Sequence, residues 1–145
     1  MGSTFFITFR TVQGLRLTDL AKDVVMASLK FHAARKYTLH ACVVMETHVH
    51  TVIRPLSVAE TPRTSYRAGQ KYGLSQVCHS IKSYSAHKIN SVLARTGGVW
   101  QSESYDRVIR DEKDYRDKVT YIMWNPVRAG LVAKPGDYRW LFVAQ

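Results

Sequence analysis

The chain is short of cysteine, of long apolar runs and of acidic residues, and each shortage removes a class of protein. Only two cysteines, Cys42 and Cys78, occur among 145 residues. Without a Cys-x-x-Cys spacing they build neither a disulfide framework nor a zinc ribbon, and they read as buried thiols of a cytoplasmic protein. No apolar stretch approaches the roughly 18 to 20 residues that a membrane-spanning helix needs. The opening residues lack a basic segment followed by a long apolar stretch and a small-residue cleavage site, so nothing marks the chain for export. Internal repeats and low-complexity tracts are absent as well. Asp and Glu number 11 against 21 Lys and Arg, a formal charge of +10. That excess is larger than solubility asks of a small domain, and it favours a polyanionic partner, nucleic acid first, through counterion release.

What is present suits one compact domain over residues 1–145. Hydrophobic residues make up 46% and charged residues 22%, ordinary for a soluble fold with a full core, and the length is short for two. Phe5 to Thr11 alternates Phe5, Ile7 and Phe9 with Phe6, Thr8 and Arg10, the period of a strand. From Thr18, an N-cap, a helix to about Tyr37 places Leu20, Ala21, Val24, Val25 and Phe31 on one side. Pro55 to Gly73 reads as a loop carrying Arg54, Arg63, Arg67 and Lys71 among Tyr66 and Tyr72, a mix that suits single-stranded nucleic acid or simply a solvated loop. Ser75 caps a helix to about Arg95, Thr96-Gly97-Gly98 ends it, and extended structure resumes to about Ile109. Asp111 caps a last helix from Glu112 to about Trp124, where Asn125-Pro126 restricts it. Strands and helices without regular alternation predict an α+β fold, an antiparallel sheet with helices packed on it.

The chemistry concentrates in Leu39 to Leu56. His48 and His50 are two apart on an extended stretch, so both project from one face, roughly 7 Å apart along the strand. The apolar run Ala41 to Met45 and the β-branched residues of Val49 to Ile53 suit a buried strand, either one bent strand or two joined by a tight turn at Glu46-Thr47. Two imidazoles there clamp a metal ion, or else are satisfied by backbone groups. On the final helix Tyr121 and Asn125 stand at i and i+4 and share a face if the helix holds that far. Tyr121 is a hydroxyl nucleophile or a packing tyrosine. Asn125 offers an amide oxygen, or is the N-cap of a helix with Pro126 at its first position.

His48-Val49-His50, Gly98-Val99-Trp100-Gln101, Tyr105 to Arg110 and the run Tyr121-Ile122-Met123-Trp124-Asn125-Pro126-Val127-Arg128-Ala129-Gly130-Leu131-Val132 together resemble the single-tyrosine transposases of the IS200-like superfamily. Within it they are most similar to the REP-associated tyrosine transposases, whose hallmark is that last run. The resemblance extends from about Leu39 to Trp140. It implies a ferredoxin-like HUH endonuclease fold, with His48 and His50 as metal ligands, Asn125 as the polar third ligand and Tyr121 as nucleophile. The metal would be Mg²⁺ or Mn²⁺. The implied reaction cleaves and rejoins single-stranded DNA near a hairpin through a 5′-phosphotyrosine, by a monomer or a homodimer. Thr47 precedes His48 where many relatives have Asn, and Arg139-Trp140-Leu141-Phe142 replaces a frequent Trp-Ser-Ser. For DNA contact the sequence offers Lys82, Arg107, Arg110 and Arg128 as cations, and Trp100, Tyr105 and Trp124 as stacking rings. Two other readings keep the same residues: a hairpin-binding module without cleavage, and a metal-dependent nuclease that uses water.

Overall fold

The computed structural model describes residues 2–57 and 73–145. The stretch holding Arg63, Tyr66, Arg67, Lys71 and Tyr72 lies outside the described residues. The elements follow in the order β1 (Phe5–Arg10), α1 (Asp19–His32), β2 (Tyr37–Val44), β3 (His48–Pro55), α2 (Leu74–Val92), β4 (Tyr105–Val108), α3 (Glu112–Arg128), a 3-10 turn (Pro135–Asp137) and β5 (Leu141–Val143). The strands form an antiparallel sheet in the order β4-β1-β3-β2-β5. β3 thus lies between β1 and β2, the split β-α-β arrangement of a ferredoxin-like fold, which confirms the predicted α+β class.

One face of the sheet carries α1 and α2. Ile7 and Phe9 of β1, Leu39, Cys42 and Val44 of β2, and Val49 and Ile53 of β3 pack there against Val25 and Leu29 of α1 and Val77, Ile81 and Ile89 of α2. Burying each such side chain contributes about 1.5–3 kcal/mol, so this layer supplies most of the folding energy. Burial also pushes the Cys42 thiol up to about 12 and Cys78 up to about 11, which keeps both protonated near neutral pH.

The opposite face carries α3 alone. A smaller cluster of Phe6, Ala41, Val43, Met45, Val52, Ile122 and Tyr138 holds it there. Tyr138 donates to the Val44 carbonyl at 2.7 Å, tying the tail to β2 beside β5. The strand β5 closes that edge of the sheet through pairs such as Cys42 with Phe142.

Several boundaries shift for local reasons. Thr18 does cap α1, accepting from the Ala21 amide at 3.1 Å, but the helix stops at His32 rather than near Tyr37. Ala34 turns left-handed, with φ of 66°, and Tyr37 enters the sheet with its hydroxyl bonded to the Leu29 carbonyl. The buried stripe of α1 is rotated from the expected one, being Ala21, Val25, Met26 and Leu29, while Leu20 and Phe31 are 50% and 45% exposed. α2 starts two residues earlier than expected, capped at Gly73 rather than Ser75, with the Gly73 amide donating to Gln76 Oε1 at 3.0 Å. The histidine stretch is two strands, with Met45 N donating to the His48 carbonyl at 2.8 Å across the turn. Asp111 caps α3 by accepting from Asp114 N at 2.8 Å. That helix does not end at Trp124: it runs through Pro126 to Arg128. Proline removes one i→i−4 bond but does not stop the helix, because its ring is buried in the α3 layer.

Candidate active site

Cross-strand partners in an antiparallel sheet project on the same side, so the register decides which residues meet. β1 places Thr8 opposite His50 and Arg10 opposite His48. β4 adds Tyr105 opposite Thr8 and Arg107 opposite Phe6. All these positions lie on the α3 face, where the apolar cluster stops and the strands turn polar.

Here α3 brings up Tyr121. Because the helix continues past Trp124, Tyr121 and Asn125 share one stripe, while Ile122 and Pro126 bury against the sheet. The Tyr121 ring meets the His50 ring edge-on at 5.3 Å between centroids, and Phe6 at 6.1 Å. His48 and His50 are 4.9 Å apart between centroids. The Arg128 guanidinium lies over the Tyr121 ring at 4.6 Å and donates to the Tyr121 carbonyl at 2.7 Å. Tyr121 stays 42% exposed. A cleft of about 580 Å³ runs alongside, lined by Phe6, Thr8, Arg10, His50, Tyr105, Asp117, Lys118 and Tyr121.

Both imidazoles are held neutral. Burial pushes His50 down to about 3, with the nearby charges of His48, Arg10 and Arg128 adding to the effect. His48 is lowered by burial and then by Arg10. Neutral imidazole is the form that binds metal. His50 Nδ1 stands 2.7 Å from Thr8 Oγ1. In the tautomer that leaves Nε2 free, Nδ1–H donates to Thr8 and sets the ring, as the outer partner of a ligating histidine does. Asn125 is half-buried, and its carboxamide makes no hydrogen bond among the described residues. Two neutral imidazole nitrogens are donors of a kind that suits a divalent ion of intermediate softness, and Asn125 offers an amide oxygen on the Tyr121 stripe of α3. Among the described residues there is no cluster of three or more His, Cys, Asp and Glu side chains that could hold a metal ion.

No family model matches the chain. It is 27% identical over 139 residues to the REP-associated tyrosine transposase of Escherichia coli (strain K12), covering 94% of this chain and 74% of that protein. Among solved structures, that of the REP-associated tyrosine transposase bound to a REP hairpin superposes with a TM-score of 0.72 at 25% identity, over 97% of this chain and 76% of the other. The chain is similar to the REP-associated tyrosine transposases. The likeness in sequence and in fold covers nearly its whole length, further than the stretch from Leu39 to Trp140 that carries the motifs.

The structure sorts the remaining expected contacts of this transposase-like chain. Tyr105 and Arg107 stand on the site's face, both exposed, and Arg128 lies against Tyr121. Trp124 is exposed on α3. Trp100 is a correction: it is 9% exposed, packs edge-on against Phe9 and donates to Ser85 Oγ at 2.9 Å, so its ring is core and has no face to offer a base. Lys82 stands on α2, across the sheet from Tyr121, and donates to the Gln101 carbonyl at 2.9 Å. Arg110 sits beside Asp114, its amide donating to that carboxylate at 3.1 Å. From sequence alone Thr8 and Arg10 are only the polar face of a strand. Their signal was that same alternation, since a polar row on a central strand needs something to face.

Proposed function

We propose that this protein is a tyrosine transposase that cuts and rejoins single-stranded DNA beside a hairpin, through a covalent 5′-phosphotyrosine on Tyr121. The observation that carries the reading is the packing of the Tyr121 ring against His50, on the face that also holds His48. The relative described as bound to a REP hairpin points to the same class of DNA partner.

Tyr121 Oη attacks the scissile phosphorus, the P–O3′ bond breaks, and the departing 3′ oxygen takes up a proton as the tyrosine gives one up. The new ester keeps the energy of a phosphodiester, so a second 3′-hydroxyl can reverse the step without ATP. A phenol with an ordinary pKa of about 10 is a poor nucleophile at neutral pH, and the phosphate repels anions. His48, His50 and Asn125 would hold Mg²⁺ or Mn²⁺, which supplies Lewis-acid polarisation of a non-bridging phosphate oxygen. Thr8 keeps His50 in the ligating tautomer. Tyr105 presents its ring to unpaired bases, and Arg107 supplies charge for the backbone beside it.

The test is an end-labelled single-stranded hairpin oligonucleotide incubated with the protein and Mn²⁺ or Mg²⁺, read on a denaturing gel. A protein-sized adduct on the 5′-phosphate side is expected, absent in Tyr121→Phe and in His48→Ala/His50→Ala. Metal-dependent cleavage without an adduct, unchanged in Tyr121→Phe, would replace this reading with a nuclease that uses water. Binding without cleavage across several hairpins would leave a DNA-binding module.

A further inference from the structure

Most cations around the α3 face are already matched with carboxylates. Arg110 and Lys118 share Asp114, Lys113 holds Asp117, and Arg116 holds Glu112. Arg10 differs. Its side chain is exposed at the end of β1, and among the described residues it makes no ion pair. The register sets it opposite His48 and two residues along the same face from Thr8. It lines the cleft together with His50 and Tyr121. An arginine placed against two histidines and an exposed tyrosine, with Asp117 of the same cleft already held by Lys113, is arranged for an anion. The planar guanidinium fork matches two oxygens of a phosphate. Arg128, committed to the Tyr121 ring and carbonyl, supports the nucleophile from the other side.

We propose that Arg10 is a phosphate-binding residue of this site, its guanidinium taking the non-bridging oxygens of the scissile phosphodiester while Tyr121 attacks. The inference rests on the tyrosine-transposase reading and adds to it a residue outside the histidine and tyrosine motifs. As the Tyr121 Oη–P bond forms and the P–O3′ bond breaks, negative charge grows on those oxygens. A fixed cation there stabilises the transition state more than the bound substrate.

The experiment compares wild type with Arg10→Ala, Arg10→Met and Arg10→Lys on two hairpin oligonucleotides, one natural and one with a neutral methylphosphonate at the scissile linkage. Adduct formation and hairpin affinity are both measured. On the natural substrate Arg10→Ala and Arg10→Met are expected to lose about 100-fold or more in rate, Arg10→Lys less, with affinity little changed. On the methylphosphonate the gap between wild type and Arg10→Ala collapses, because the charge that Arg10 meets is gone. A merely structural role would slow both substrates alike, and that result overturns the inference. Arg10→Met keeps the aliphatic stem, so it covers the case in which Arg10→Ala fails to fold. If wild type forms the adduct and the Arg10 variants match it, only this inference falls. If wild type forms no adduct on the natural hairpin, the transposase reading falls and this inference with it.

Discussion

The two faces of the sheet are built on different terms. The face under α1 and α2 is mostly apolar, and Ile7, Phe9, Leu29, Val49 and Ile53 lie almost entirely out of water. The face under α3 is apolar at one end only, and its other end carries Thr8, Arg10, His48 and His50 beside an open cleft. The same strands supply both, by alternation. One side of β3 gives Val49, Thr51 and Ile53 to the core, and the other gives His48 and His50 to the site. Stability and chemistry are thereby separated by the thickness of one sheet, and the site is held rigid by a core it does not have to build itself.

That separation makes predictions of graded size. The largest contrast pairs Tyr121→Phe with Leu29→Ala. Tyr121→Phe is expected to abolish covalent DNA capture while leaving the thermal midpoint nearly unchanged, since Tyr121 is exposed and belongs to neither core cluster. Leu29→Ala should do the reverse, costing about 2–5 kcal/mol in urea denaturation through the cavity it opens, with activity per folded molecule retained. A Tyr121→Phe protein that unfolds easily would mean the two faces are not independent.

Thr8→Val tests whether the polar end is organised. Loss of the hydroxyl that faces His50 Nδ1 should weaken Mn²⁺ binding by about 10- to 100-fold in a calorimetric titration. Unchanged affinity would remove Thr8 from the site. Asp111→Ala tests how α3 is held: its cap bond to Asp114 N should be worth about 1 kcal/mol, more noticeable on a helix with a small core than on a deeply buried one.

The smallest effect belongs to the sealed face. His32 is buried on α1, next to the Ser28 carbonyl at 2.9 Å, and burial is the first cause holding its pKa below the ordinary value. The unfolded chain therefore binds the proton first. Its contribution to stability is complete above the unfolded pKa of about 6.5 and is lost as the pH falls below that value toward the folded one. His32→Gln should flatten the acid side of the stability profile relative to wild type, measured by denaturant titration between neutral and acidic pH.

Much of this was legible in order of residues alone. Period-two alternation marked β1, the Thr18 and Asp111 caps marked two helix starts, and the spacing of His48 and His50 put both rings on one face. These are local signals, set by side-chain direction and by backbone donors that need partners within a few residues. The tertiary structure decided what such signals cannot reach. Pro126 looked like a stop, and burial of its ring kept α3 intact through Asn125. Trp100 looked like a stacking ring, and the Ser85 hydroxyl and Phe9 claimed it for the core. Arg10 and Thr8 were two polar positions on a strand until the pairing of β1 with β3 set them against His48 and His50. Sequence determined which faces each element has; only the register and packing of distant segments determined which faces meet, because those contacts join different elements of the chain, Thr8 and His50 being 42 positions apart.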